Sequence, residues 1–350
     1  MQDIFLKIKE QLAAQMPFAV YAKPNSTTIT GVFQKDHVQY EPDYSGKGFI
    51  FAPFNGNAVF IPVNNADVIT TEIEEYGFKK LQPKSFNIDK QAKADFEALV
   101  AKSVDAIKAA EFEKLVVSRS EIVEVPDLDV SELYKKLLDT YSAAFRYCFY
   151  SPQSGLWMGA TPEQLLKVEN NTLHTVALAG TQVYKEDEEA VWEAKEQQEQ
   201  EFVTRYILQE LQDIATQVTT TAPYTFKAGT ILHIKTDISA ELNSNQNLPN
   251  VINTLHPTPA ICGLPKTDAK DFLLAHEGYN REFYAGYLGE VNTDIEIGQP
   301  KTDLFVNLRC MKIGHGSATL YIGCGITKDS NPEKEFFETV NKSMTMRRVI

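Results

Sequence analysis

The stretch DLFVNLRCMKIGHGSATLYIGCGITKDSNPEKEFFETVNK, residues 303–342, sets two runs rich in β-branched and aromatic residues ahead of a helix. DLFVNLRCMKI and ATLYIGCGIT read as strands. Asn331 and Pro332 mark the helix start, because asparagine caps first-turn amides and proline fits within that turn. The same irregular mixture runs through the chain. Residues 17–65 read as several antiparallel strands, 88–111 as a helix, and EKLVVSRSEIVEV as a buried strand. A helix at 131–143 precedes strands in FRYCFYSP and GLWMGATPE. A long acidic helix at about 186–214, a helix at about 267–276 and a strand in EFYAGYLGEV complete the pattern. There is no regular βαβ rhythm, no internal repeat and no Pro/Ser-rich linker. The pattern predicts an α+β protein, one large domain over residues 1–350 whose helices cover mostly antiparallel sheets.

Composition narrows the function. With 43% hydrophobic and 23% charged residues the chain is globular in type, neither disordered nor membrane-like. Ile4, Phe5, Ile8 and Leu12 recur at helical spacing with charges between them. The N-terminus therefore lacks the apolar centre of a secretion signal, no run is long enough to span a bilayer, and the expected location is the cytoplasm. Cys148, Cys262, Cys310 and Cys324 show neither a CxxC pair nor zinc spacing, and are expected to be buried, reduced thiols. A formal charge of −13 repels phosphate backbones and anionic lipid, so neither nucleic acid nor membrane is an expected partner. No apolar heptad stands out, and a monomer is expected.

Two sets of carboxylates call for explanation. Glu199, Val203, Ile207, Leu211 and Ile214 share one helical stripe whose apolar members face a core. If the helix is formed there, Glu199 is on the buried side and must be paired, protonated or metal-bound; if the helix frays, it is one solvated charge among many. On the C-terminal helix Phe336, Phe337, Val340 and Met344 are expected to form the core stripe. Glu335, Glu338 and Lys342 then line the opposite face. That face either meets water or holds a cation, and spacing leaves both open.

Eight segments in order, KLVVSR, GATPEQLL, ALAGT, HPTPAICGLPK, EGYNREFYAGYLG, VNLRC, YIGCGIT and EKEFFETVNK, resemble the chorismate-utilising enzymes, and among them the isochorismate synthases. The likeness is strong over about 110–346 and weaker over the strands before residue 100. It implies that Glu199 and Glu338 bind Mg²⁺ with Glu335 as a nearby ligand, directly or through water, consistent with the preference of Mg²⁺ for carboxylate oxygens and retained waters. It implies that Arg309, Lys342 and backbone N–H groups around Gly323 and Gly325 hold the substrate carboxylates. Thr181, His233 and Ala260 would line the same pocket, with His256 structural. Lys114 would activate a water attacking C2 of chorismate, half-buried at its strand end, while Glu163, protonated, donates to the departing C4 hydroxyl.

Pro259 and Ala260 stand where aminating relatives carry Gly-Thr, and ALAGT lacks the lysine that some of them place before the glycine. Both differences favour water over ammonia, and no glutaminase subunit is expected. The isochorismate produced by this family feeds menaquinone or siderophore synthesis. Salicylate, anthranilate or aminodeoxychorismate synthesis, or silent chorismate binding, are the rival readings. Two departures bear on the site: Gln198 and Gln200 replace histidines beside the metal-binding glutamate, and Glu290 stands where tryptophan is frequent.

Overall fold

The computed structural model describes residues 3–78, 81–83, 86–126, 128–184, 190–228, 231–243 and 247–350; the side chains of 181, 183, 195, 228 and 231 also lie outside the description. The helices are α1 (Ile4–Ala14), α2 (Lys90–Lys108), α3 (Val130–Thr140), α4 (Ala194–Leu211), α5 (Leu248–Leu255), α6 (Lys266–His276) and α7 (Pro332–Arg347). The first strands are β1 (Phe18–Ala22), β2 (Thr28–Gln34), β3 (Gly48–Ala52), β4 (Val59–Pro62), β5 (Ala66–Glu72), β6 (Lys114–Glu124), β7 (Phe145–Ser151), β8 (Gly155–Thr161) and β9 (Gln164–Glu169). They are followed by β10 (Thr172–Val183), β11 (Ala215–Thr220), β12 (Tyr224–Ala228), β13 (Ile231–Leu242), β14 (Gly263–Leu264), β15 (Tyr287–Val291), β16 (Thr302–Val306), β17 (Cys310–Gly314) and β18 (Ser317–Ile326).

These strands form two antiparallel sheets, as the α+β reading requires. One runs β14-β6-β18-β17-β8-β7-β1-β2-β5; the other runs β11-β13-β10-β9-β16-β15-β3-β4, with β12 on β13. Period-two alternation gives the first sheet two buried faces. Ala19, Tyr21, Tyr147, Phe149 and Trp157 enter a core shared with the second sheet. Their neighbours Val20, Cys148, Leu156 and Met158 pack beneath Ile8 of α1 and Leu133 and Leu137 of α3. Phe51 of the N-terminal strands stacks on Phe283 at 4.4 Å and meets Phe149 at 4.5 Å, so both halves of the chain share one core. Each such side chain contributes roughly 1.5–3 kcal/mol by its burial. All four cysteines are free and buried, as expected.

Three local expectations are corrected. DLFVNLRCMKI is not one strand: it leaves the second sheet as β16, crosses at 307–309 and enters the first sheet as β17. Asn307 pins the crossing, accepting from the Tyr147 hydroxyl at 2.6 Å and donating Nδ2 to the Phe283 carbonyl at 2.9 Å. EFYAGYLGEV is strand only from Tyr287, because Glu282 and Ala285 turn the preceding chain with positive φ. On α7 the buried residues are Glu335, Phe336, Thr339, Ser343 and Met346, while Phe337 is 41% exposed. Glu338 and Lys342 flank this seam and face the protein, since α7 lies against β18 along a narrow, partly polar stripe.

Candidate active site

The start of β17, the crossing that precedes it, the start of β6 and the inner face of α7 enclose one cavity. Lys114, Glu163, Glu199, His233, Ala260, Arg309, Gly323, Gly325, Glu338 and Lys342 all line it. Segments spread over more than 200 positions of sequence thus converge on one space.

Lys114 opens β6 and is 3% exposed, not half-buried, because β14 and β18 flank that strand on both sides. Its side chain passes over Gly325, where an added Cβ would lie 3.2 Å from Lys114 Cε, 3.6 Å from its Nζ and 3.7 Å from Glu199 Oε1. The missing side chain at 325 is what lets the ammonium and the carboxylate approach the same point. Glu163 sits in the turn between β8 and β9. Its carbonyl accepts from Val306 N–H at 2.9 Å. The part of its surface left uncovered faces the cavity. Desolvation pushes its carboxyl up to about 7, outweighing Lys114, Arg309 and Lys342, which pull it down. Near neutrality this group keeps much of its proton.

Cations and amides line the facing wall. Arg309 adopts a left-handed φ of 48° at the crossing, and burial lowers its pKa against the support of Tyr284, Glu338, Tyr141 and Glu163. A guanidinium remains charged even so. Lys342 Nζ stands 2.7 Å from Glu338 Oε1 and donates to the Gly323 carbonyl at 3.1 Å. Gly323 and Gly325 pair with Ser118 and Val116, whose amides turn instead to Glu277 Oε1 and the Cys262 carbonyl, each at 2.7 Å. These are therefore non-hydrogen-bonded pairs of the antiparallel ladder, and the glycine N–H groups point to the other edge, past the start of β17.

His233 Nδ1 lies 2.7 Å from the Gly180 carbonyl, which can only accept, so this nitrogen carries the proton. Burial lowers the imidazole to about 4, more than the carbonyl raises it, and the ring is neutral. Gly180 reaches this position through a bulge in β10, at a φ of 70°. The side chain of Thr181 lies outside the described residues. His256 is away from the cavity wall and structural: its Nε2 is 3.0 Å from the Ala285 carbonyl and its ring meets Tyr287 edge-on.

Helix α4 is formed at Glu199, and Val203, Ile207 and Leu211 are buried behind it, so the stripe reading holds. Glu196, one turn earlier on the same stripe, also lines the cavity and closes a capping box with Glu193; extending the stripe back by three residues would have found it. Tyr284 was missed because its segment reads as strand. Glu335 is 3% exposed and absent from the cavity wall, so Glu338 is the α7 carboxylate that reaches the space. Gln200 is held by Nε2 contacts to Thr236 Oγ1 at 2.6 Å and Thr204 Oγ1 at 2.8 Å, the first of which ties α4 to β13. Glu290 does not shape the cavity wall. It is buried elsewhere with Lys23 at 2.9 Å and the Tyr21 hydroxyl.

Among the described residues no three Asp, Glu, His or Cys side chains group closely enough to enclose a metal alone. The donor set nonetheless suits a hydrated Mg²⁺, which is commonly held by one or two carboxylates plus waters and a ligand oxygen.

Residues 63–350 match the family described as chorismate binding enzyme. A salicylate biosynthesis isochorismate synthase of Pseudomonas aeruginosa is 28% identical over 269 residues, 74% of this chain and 55% of that protein, so the match spans about half of that relative's length. The isochorismate synthase EntC of Escherichia coli K12 is 25% identical over 313 residues, 85% of this chain and 79% of that protein. The solved structure of MenF, the menaquinone-specific isochorismate synthase from Escherichia coli, shares the fold with a TM-score of 0.80 at 19% identity, covering 99% of this chain and 91% of that one.

Proposed function

The chain belongs to the chorismate binding enzyme family, and from that premise we propose that it is an isochorismate synthase interconverting chorismate and isochorismate. The observation that carries the reading is the pairing of a buried lysine, Lys114, with a carboxyl held near pKa 7, Glu163, in one cavity. A reaction that takes a proton from the water attacking one carbon and gives one to the hydroxyl leaving another needs such a pair.

Lys114 takes a proton from a water that forms its bond to C2. The ring double bonds shift, the C4–oxygen bond breaks, and Glu163 gives its proton to the leaving hydroxyl. Arg309, Lys342 and the N–H groups of Gly323 and Gly325 hold the carboxylates, Arg309 by its two-pronged donor geometry. Glu199 and Glu338 would hold Mg²⁺, which neutralises carboxylate charge when bound. Ala260 and the neutral His233 shape the wall.

Incubating the protein with chorismate and Mg²⁺, without ammonia, and separating the products by chromatography tests this function. Isochorismate is expected. Pyruvate release would identify a lyase instead, and no product would leave a binding protein.

A further inference from the structure

Beside the cavity, one residue is held in a conformation that does not suit its side chain. Glu282 has a φ of 49°, left-handed backbone that glycine adopts freely and a glutamate does not. Its surroundings enforce it: the amide donates to Asn280 Oδ1 at 2.8 Å and the carbonyl accepts from Phe54 N–H at 2.9 Å. The carboxylate is divided between two partners. Oε1 accepts from the Tyr321 hydroxyl at 3.0 Å, and Oε2 pairs with Lys312 Nζ.

Tyr321 stands on β18 two residues before Gly323. Tyr321 lines the catalytic cavity and also an outer groove with Ser120, Tyr279, Lys312 and Thr319, so the residue stands between the two spaces. It stacks on Tyr284 at 5.9 Å and 17°, and on Trp157 at 5.1 Å and 24°. Tyr284 in turn places its hydroxyl 2.7 Å from where a side chain at Gly323 would begin. Glu282 thus grips the middle ring of a three-ring stack whose Tyr284 end shapes the wall around Gly323.

We propose that Glu282 is a positioning residue for the cavity: its unfavourable backbone is retained because the carboxylate locks the Tyr321 ring, and through it Tyr284. The functional consequence rests on the isochorismate synthase reading; the locking does not. Two readouts separate them.

In the ligand-free protein, the near-ultraviolet circular dichroism of the Trp157–Tyr321–Tyr284 stack should change in Glu282→Gly. It should stay as wild type in Glu282→Gln, whose amide oxygen still accepts from the phenol. With chorismate, Glu282→Gly and Tyr321→Phe should each raise KM about 3- to 10-fold with kcat within about twofold. The double variant should have a KM no higher than Glu282→Gly alone, because the Tyr321–Glu282 bond is already lost there. Glu282→Gln should stay within about twofold of wild type. Glu282→Gly should melt no lower than wild type, since glycine relieves the backbone. Unchanged circular dichroism in Glu282→Gly overturns the proposal whatever the activity. So do multiplying KM effects in the double variant, or a Glu282→Gln variant as impaired as Glu282→Gly. Loss of wild-type turnover with the dichroism result intact would refute the assigned reaction and not the lock.

Discussion

Replacing Glu163 by glutamine probes the cavity's electrostatics before any ligand enters. The carboxyl is raised from 4.5 to about 7, with desolvation as the largest cause. Between those values the unfolded chain releases a proton that the folded protein keeps. The native state binds more protons there, and stability falls as pH rises through the window. A rise of this size corresponds to about 3 kcal/mol lost between pH 5 and 8, at 1.36 kcal/mol per pKa unit. Glutamine cannot ionise and escapes this loss. The stability of Glu163→Gln relative to wild type should therefore grow by up to about 3 kcal/mol from pH 5 to pH 8, read from urea unfolding of metal-free protein at both values. A difference that stays flat with pH would refute the reasoning, because it would mean that Lys114, Arg309 and Lys342 hold the group ionised throughout. The same variant should lose at least ~100-fold in turnover, the usual scale of general acid catalysis. Wild-type kcat should decline above about pH 7 as the proton is lost.

Three further perturbations address the rest of the site. Gly325→Ala places a methyl 3.2 Å from Lys114 Cε, tighter than ordinary contact; it should cut kcat at least ~10-fold with little change in melting temperature, checked by steady-state kinetics and thermal denaturation. Glu338→Gln should raise the Mg²⁺ concentration for half-maximal activity at least ~10-fold, measured by metal titration at saturating chorismate, and an unchanged midpoint would remove Glu338 from the metal site. Arg281→Leu should cost about 3–5 kcal/mol in urea unfolding. It leaves Glu277 buried without its partner and releases the Val116 and Ile261 carbonyls that the guanidinium ties together beside Lys114 and Ala260.

How much of this was legible in the sequence depended on the range of the interaction. Local chemistry was readable: the Asn331 cap does accept from Lys334 N–H, and once α4 is formed at Glu199 its spacing puts that residue on the stripe of Val203, Ile207 and Leu211. The apolar stripe of α7 was misread because adjacent Phe336 and Phe337 point to different sides: the buried side runs through Glu335, Phe336, Thr339, Ser343 and Met346, which hydrophobicity alone does not mark, and Phe337 is left outside it. Pairing between distant strands left no local mark. Nothing within DLFVNLRCMKI says that it changes sheets at Asn307, yet that crossing is what presents Arg309. The burial of Lys114 likewise depends on β14 and β18, about 150 and more than 200 positions away. The strands at 215–242 and helix α5 were not anticipated, although β13 alternates cleanly, with Leu232, Ile234, Ile238, Ala240 and Leu242 all buried. The candidate site was recognisable through ordered motifs more than through periodicity, which left each carboxylate open until tertiary structure brought them together.

The central claim is that this cavity delivers solvent oxygen to one ring carbon while expelling a hydroxyl from another. Turnover of chorismate in water enriched in oxygen-18, with mass spectrometry of the isochorismate formed in the first fraction of the reaction, tests it most directly. The product should carry one heavy oxygen at the new C2 hydroxyl. Unlabelled isochorismate would mean that the original hydroxyl migrates within the ring, leaving Lys114 no water to activate.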